Sequence, residues 1–450
     1  MNQINLPLLE EKLSREVNHI DKSLLDLFKK YVQTSERSKL AIINPNRVAH
    51  KFREDKLKTL KAFLFLTKSG VFDMEWVVHC PHCNGAEQIS DGQAGIKHEG
   101  RCGACVTSFE ADFDKHTEIR FKINPAICNT EDVDPFELIL NSHETEPGIS
   151  LQLDPKGEHF LEMSVTPGVY ALANIPEKKL HVFRIPDIGS ESKNSIEIHY
   201  NSSTPSITNT MLKPSNSLAL TLKNETEIEQ EFVLAKLKEP DWTSAALVST
   251  LQEFRDLFSK EMLSTNEAFS IKNLSFLFTD IKGSTELYEK LGDSKAFYLV
   301  KEHFKIMEEV VKKHNGAIVK TIGDAVMAVF SSPSSALACS LELIEAFDHF
   351  NEEGGTRDKI IIKVGIHSGP CIAVTLNERI DYFGSSVNIA ARVQGLSDGR
   401  DIMLSERFFT ESGADKKLHS ENWSSESFTT SLKGLAEKFK IHKIVRTKNI

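Results

Sequence analysis

The chain has 450 residues, 26% of them charged and 40% hydrophobic, with a net charge of −10. That length accommodates about three domains of ordinary globular composition, and the acidic balance argues against non-specific binding to a polyphosphate backbone. Met1 to Pro7 lacks the basic-then-apolar order of a secretory signal, and the densest apolar run, Ala62 to Leu66, falls far short of the ~20 residues of a membrane helix, so the chain reads as soluble and cytoplasmic, with no membrane partner.

Residues 1–72 read as helical. Leu13, Val17, Ile20, Leu24 and Phe28 recur at helical spacing. Asn44-Pro45 starts another helix, Leu57 to Thr67 continues as the next, Ser69-Gly70 ends it, and Val71 to Val78 reads as a strand. Helices followed by a strand hairpin make a winged-helix-like order. In an acidic chain the plainer reading is a packing or partner-binding module rather than a DNA reader.

Residues 73–130 contain Cys80-Pro-His-Cys83 and Cys102-Gly-Ala-Cys105, four of seven cysteines. Two such pairs in a reducing compartment favour a metal over disulfides. Each tight turn presents two thiolates, and four thiolates fill the corners of a tetrahedral Zn2+ with no place left for a reactive water. The segment therefore reads as a zinc ribbon with one structural zinc on Cys80, Cys83, Cys102 and Cys105, and with His82 and His98 as nearby spares.

Residues 131–240 read as β-rich. Leu218, Leu220 and Leu222 alternate, a turn follows at Asn224-Glu-Thr, and Ile228, Phe232 and Leu234 form the return. Further strands fit Gly168 to Leu172 and Leu180 to Ile185, and a small β-sandwich accounts for them. No acid pair, nucleophile or glycine-rich loop stands out here. Within 241–268, residues 242–263 read as one amphipathic helix. Leu247, Leu251, Phe254 and Phe258 give a 4-3-4 seam that suits either a short coiled-coil rod passing a signal onward or a helix packed on its own domain.

Chemistry concentrates in 269–450. Leu274-Ser-Phe-Leu-Phe-Thr-Asp280 is an apolar strand ending in an acid, and Ile281-Lys-Gly-Ser-Thr285 opens a helix whose free N–H groups form a phosphate cradle. Ala317 to Ile322 is a strand, Gly323-Asp324 a tight turn and Ala325 to Phe330 the return strand. Two aspartates at adjacent strand ends can bridge a pair of divalent cations shared with substrate phosphates. Asn388 and Arg392, in Asp381-Tyr-Phe-Gly-Ser-Ser-Val-Asn388-Ile-Ala-Ala-Arg392, lie four apart and so on one helical face.

Phe278-Thr-Asp-Ile-Lys-Gly-Ser-Thr285, Val319-Lys-Thr-Ile-Gly-Asp324 and Asp381 to Arg392 together resemble the class III nucleotidyl cyclases. The resemblance covers about 270–450; a looser one relates 40–268 to a regulatory region fused to bacterial cyclases of this class. It implies an α+β multidomain chain ending in a ferredoxin-like α/β catalytic domain. It also implies that Asp280 and Asp324, with the Ile281 carbonyl, hold two Mg2+ or Mn2+ ions. Gly283, Ser284 and Thr285 would cradle phosphate. Lys320 and Asp381 would read adenine, Asn388 would orient the ribose, and Arg392 would offset charge on the transferring phosphate. Lys433, in Leu432-Lys-Gly434, would touch the terminal phosphates. Family members are head-to-tail homodimers in which one chain supplies the aspartates and its partner supplies Lys320, Asp381, Asn388 and Arg392.

The implied substrate is ATP. Lys320 can donate to adenine N1 and Asp381 can accept from its amine, whereas guanine presents the reverse edge. The resulting expectation is an adenylate cyclase regulated by its N-terminal domains. A cyclase for GTP or a pyrimidine triphosphate, or an inactive nucleotide-binding module, are the alternatives. Cys371-Ile-Ala-Val-Thr-Leu-Asn377 departs from the family's glycine-rich pattern in the dimer arm. His367 reads as a strand-end residue, and Cys339 and Cys371 as core.

Overall fold

The computed structural model describes residues 4–81, 84–102, 107–185, 193–201, 203, 207–213, 215–259, 263, 267–353, 359–377, 379–419 and 422–447. Two units divide the chain. One comprises Met1–Asp91, Ile96–Ala111 and Glu118–Thr243, and the other Gly92–Gly95, Asp112–Thr117 and Ser244–Ile450. Cys83 and Cys105 lie outside the described residues, and no helix among those described is long and apolar enough to cross a membrane.

In the first unit the helix starts follow their capping chemistry. Asn44 accepts from the N–H groups of Asn46 and Arg47, with Pro45 at the first position of Pro45–Phe52. Asp55 caps Lys56–Lys68 by accepting from Lys58 N–H. Gly70 then turns the chain at φ +80° into the strand Phe72–His79. Phe28 meets Phe63 edge-on at 4.9 Å, and Phe63 stacks on Phe121 at 4.7 Å. The helical repeat from Leu13 to Phe28 is not one helix. It breaks between Leu6–Ser14 and Lys22–Thr34, and Val17 is left 59% exposed while Leu13 and Ile20 are buried.

The β-rich part holds a three-stranded and a five-stranded sheet. Leu218, Leu220 and Leu222 from the first share one core with Leu172, Phe183, Phe232 and Leu234 from the second, which is a sandwich. The expected hairpin after Asn224 is corrected. Ser217–Asn224 pairs with Glu158–Ser164 and Lys193–Tyr200, whereas Gln230–Lys236 pairs with Ile149–Leu153 and Gly168–Asn174. The turn is a corner between sheets. Asn224 holds it by donating to the Asp154 and Ile228 carbonyls and accepting from Thr226 N–H.

The second unit begins with two short helices, Ala245–Ser249 and Gln252–Leu257, in place of the single helix expected over 242–263. Leu251 and Phe254 are buried on this unit, so the seam is a packing face and not a free rod. There follow β1 (Phe269–Ile281), α1 (Ser284–Leu291), α2 (Asp293–Lys313), β2 (Ala317–Ile322), β3 (Ala325–Phe330), α3 (Pro333–Glu353), β4 (Ile362–Leu376), β5 (Arg379–Phe383), α4 (Ser385–Gln394), β6 (Asp401–Ser405), α5 (Glu406–Ser412), α6 (Ala414–His419), β7 (Trp423–Ser431) and β8 (Lys438–Arg446). The strand order is β2-β3-β1-β4-β6-β8-β7, and β5 folds back on β4. Pairing is antiparallel except between β4 and β6.

Alternation along β6 separates the two faces of this sheet. Ile402 and Leu404 join the core of α2 and α3, whereas Met403 packs with Val393 of α4 and Leu432. Helix α4 lies directly on β4. A Cβ on Gly365 would stand 2.1 Å from Gln394 N, and one on Gly369 would stand 2.4 Å from Ser386 Oγ. At Gly365 the overlap is with backbone, and only glycine permits that approach.

Candidate active site

Strand β1 carries Asp280 to its end, and the two-residue Gly323-Asp324 turn delivers Asp324 beside it. Gly323 sits at φ +64° as the first central residue, the conformation that closes such a hairpin. Because β1 pairs with β3 up to Thr279 opposite Val326, the two strand ends coincide. Ile281 N–H donates to Asp324 Oδ2 at 3.3 Å. Burial first, and then the Asp324 carboxylate within hydrogen-bonding reach, push the Asp280 carboxyl above its ordinary range, while Lys363, opposite Asp280 on β4, pulls it down. Two acids facing one lysine leave negative charge that a divalent cation would relieve. The chain continues through Gly283, at φ +68°, into the N-terminal turn of α1, where Ser284 and Thr285 present their N–H groups.

A second cluster forms between β2 and β5. Lys320 Nζ donates to Asp381 Oδ2 at 2.6 Å, and Tyr382 N–H donates to Asp381 Oδ1 at 2.8 Å. Asp381 is 5% exposed, and the Lys320 ammonium lies 5.5 Å from the Phe383 ring centre. Both members therefore belong to one chain and hold each other.

A third group rides on α4. Ser386, Ala390 and Val393 face the sheet, so Asn388 is exposed and Arg392 half-buried on the outward side. Neither side chain has a hydrogen-bond or ion-pair partner among the described residues. A Cβ on Gly434 would lie 3.6 Å from Arg392 Nη2, which puts the Lys433-Gly434 turn beside that guanidinium. Lys433 itself is exposed.

His367 is corrected from a strand end to mid-strand. It sits within β4, buried, with Nδ1 at 2.7 Å from Ser405 Oγ, and burial pushes it down to about 4. Cys339 and Cys371 are buried as expected. Two residues near the acids escaped the sequence reading. Lys363 gives no signal except its register opposite Asp280. His303 on α2 is fully buried, neither ring nitrogen has a partner, and desolvation pushes it down to about 4 against an opposing pull from Asp324.

Among the described residues no group of three metal-ligating side chains occurs. Cys80 and Cys102 are buried, and their turns close alike: Cys80 N–H donates to Gly85 O at 2.9 Å and Cys102 N–H donates to Thr107 O at 2.9 Å.

Residues 267–438 match the adenylate and guanylate cyclase catalytic domain, and residues 10–160 match a family of unknown function. The adenylate cyclase of Lachancea kluyveri is 34% identical over 194 residues, 38% of this chain and 10% of that protein. The adenylate cyclase of Anabaena cylindrica is 31% identical over 153 residues, 31% of this chain and 30% of that protein. Among solved structures, the adenylyl cyclase CyaB from P. aeruginosa superposes with a TM-score of 0.36 at 23% identity, covering 41% of this chain and 98% of that one. The chain thus spans well under half the length of these two curated relatives. Its residues 267–438 are a cyclase catalytic domain.

Proposed function

We propose that residues 269–450 cyclise ATP to 3′,5′-cyclic AMP and pyrophosphate in a pocket shared by two copies of the chain. The observation that carries this reading is the meeting of Asp280 and Asp324 at coincident strand ends, where burial and mutual repulsion favour a bound cation. Mg2+ or Mn2+ held there would acidify the ribose 3′-hydroxyl and neutralise phosphate charge. The Ile281 carbonyl is a further candidate ligand.

The chain's own groups do the rest by placement. The N–H groups of Gly283, Ser284 and Thr285 cradle phosphate oxygens. Lys320 donates to adenine N1 while Asp381 accepts from the exocyclic amine. Asn388 orients the ribose. Arg392, without a side-chain partner among the described residues, meets the charge that grows on the α-phosphate during in-line attack, and Lys433 beside it meets the leaving pyrophosphate.

Exposed apolar side chains support the dimer. Ile322 on β2 and Phe383 on β5, the strands that carry Lys320 and Asp381, and Ile372 and Leu376 on β4, which pairs with β5, are all more than 40% exposed. In a head-to-tail pair the aspartates of one copy would face the Lys320, Asp381, Asn388 and Arg392 of the other, giving two equivalent sites. The N-terminal unit would regulate the pair.

The test incubates purified protein with each of the four nucleoside triphosphates and Mg2+ or Mn2+ and weighs the products. Cyclic AMP as a minor product would sink the substrate assignment. Mixing a Lys320→Ala chain with an Asp280→Ala chain should restore one working pocket per heterodimer, and inert mixtures would sink the shared pocket.

The matching backbone closures at Cys80 and Cys102 fit a structural zinc completed by Cys83 and Cys105. Elemental analysis should find one zinc per chain, and a purified protein without it would refute that site.

A further inference from the structure

The segment that opens the second unit reaches the base-reading strands at three points. Gln252 is buried, and its Nε2 donates to Asp256 Oδ1 at 2.8 Å. That bond fixes the amide's orientation, so its Oε1 accepts from Ile318 N–H at 2.8 Å. The Ile318 donor belongs to a bulge in β2. Ile318 stands opposite Ala328 and Lys320 opposite Met327, so Val319 is left without a partner. A bulge frees a backbone group and re-aims the side chain that follows, and the side chain that follows is Lys320. On β5, Arg255 Nη1 donates to Ile380 O at 3.1 Å, and its guanidinium lies 5.6 Å over the Tyr382 ring. The Tyr382 hydroxyl donates to Ser249 Oγ at 2.9 Å. These contacts fall two residues before Lys320 and on either side of Asp381.

Sheet topology explains the need for them. β2 is the last strand of the sheet, and β5 pairs with β4 alone. Each therefore has an edge that no ladder holds among the described residues, and an edge strand slides and twists more freely than a central one. A cavity of about 310 Å3 lined by Phe254, Phe258, Val319 and Ile380 remains at this junction, so apolar packing alone does not lock the two strands together.

We propose that Ser249, Gln252 and Arg255 are positioning residues that set the spacing of Lys320 and Asp381, and through it the preference for adenine. The inference rests on reading Lys320 and Asp381 as the base-contacting pair. A hydrogen-bonding edge is recognised only when donor and acceptor both stand within bonding distance, so a small shift of either strand spares the chemistry at the phosphates and weakens discrimination between bases. Movement of the 244–259 segment would then tune substrate affinity without touching the acids.

The test uses the full chain with Gln252→Ala, Arg255→Ala, Arg255→Lys and Tyr382→Phe, and with Lys320→Glu as comparator. For each, kcat and KM are measured with ATP and with GTP, alongside a thermal melt. Gln252→Ala and Arg255→Ala should each raise KM for ATP and lower the ATP-over-GTP preference by about tenfold, the scale of one lost hydrogen bond, with kcat for ATP kept within about threefold. Arg255→Lys, which can still donate to the Ile380 carbonyl, should keep the wild-type preference. A purely structural role would lower kcat for both nucleotides alike and leave KM and preference unmoved, and that result overturns the proposal. Tyr382→Phe removes one oxygen, so it reports even if the alanine variants do not fold. It should raise KM for ATP roughly threefold, and an unchanged KM counts against the proposal. If Lys320→Glu shifts preference while Gln252→Ala and Arg255→Ala do not, positioning fails and base reading survives. If Lys320→Glu leaves preference unchanged, base reading itself fails.

Discussion

Replacing Gly365 by alanine adds one methyl group under α4, and the structure gives the size of the disturbance. The new Cβ would stand 2.1 Å from Gln394 N and 2.2 Å from its Cα, where ordinary contact begins near 3.4 Å. Both atoms are backbone, so no rotamer change relieves the overlap, and the C-terminal end of α4 must back away from β4 by about 1.3 Å. Overpacking of this kind costs about 1–3 kcal/mol of stability. The larger consequence is catalytic, because Asn388 and Arg392 ride on the same helix. A displacement of ~1 Å in a charge-stabilising group costs about 100-fold in rate. Gly365→Ala should therefore fold, melt somewhat lower, and lose about two orders of magnitude in kcat at saturating ATP. Gly369→Ala is the internal control. Its clash is with the Ser386 hydroxyl, a side chain that can rotate, so its loss should be much smaller. If Gly365→Ala turns over within about threefold of the parent, the reasoning that places Arg392 at the reacting phosphate is wrong.

Asp324→Asn keeps the shape of the turn but removes a charge from the acid pair; turnover with Mg2+ should fall by at least ~10³-fold while the fold survives by circular dichroism, and retained activity would remove Asp324 from the site. His303 and His367 are both held neutral by burial down to about 4, against an ordinary 6.5. Because each pKa is depressed in the folded protein, the unfolded chain binds the extra protons between those limits. Stability should thus fall as pH drops from about 6.5 to about 4 and level off below, by roughly 3 kcal/mol per histidine. Denaturant titrations across that window should find the slope reduced by about half in His303→Leu, and an unchanged slope would refute this origin. Cys102→Ser should release one zinc per chain, measured by elemental analysis, and lower the melting temperature of the first unit; full zinc retention would refute the ligand assignment.

Much of the catalytic unit was legible in the sequence because its chemistry sits at strand ends and turns, where local pattern and geometry agree. An apolar run that stops at Asp280 and a Gly-Asp pair between two strands leave little freedom in where the acids go. Periodicity misled where it could not see partners. Leu218 to Leu222 and Phe232 to Leu234 alternate as a hairpin would, yet they belong to different sheets because the Asn224 side chain turns the chain through a corner. Of the 4-3-4 seam from Leu247 to Phe258, Leu251 and Phe254 are buried and the two ends half-buried, but Ser249 and Thr250 interrupt the helix inside it. Their hydroxyls bond back to the Ala246 and Leu247 carbonyls and compete with the helical ladder. Lys363 and His303 carried no local signal, since their roles come from cross-strand register and from depth.

The bond between Lys320 and Asp381 has an energetic corollary. If the two read the base as proposed, an arriving nucleobase would not find a vacant donor and a vacant acceptor; it would have to displace a charged pair already satisfied at 2.6 Å. Adenine would return one contact to each member, whereas a base with the opposite edge would return none and leave the buried Asp381 carboxylate separated from its half-exposed lysine. On that reading the pair would impose a cost on entry that only the matching edge offsets. Attraction toward the protein then falls to the triphosphate tail, while the base end acts as a filter whose stringency is gained at the expense of affinity.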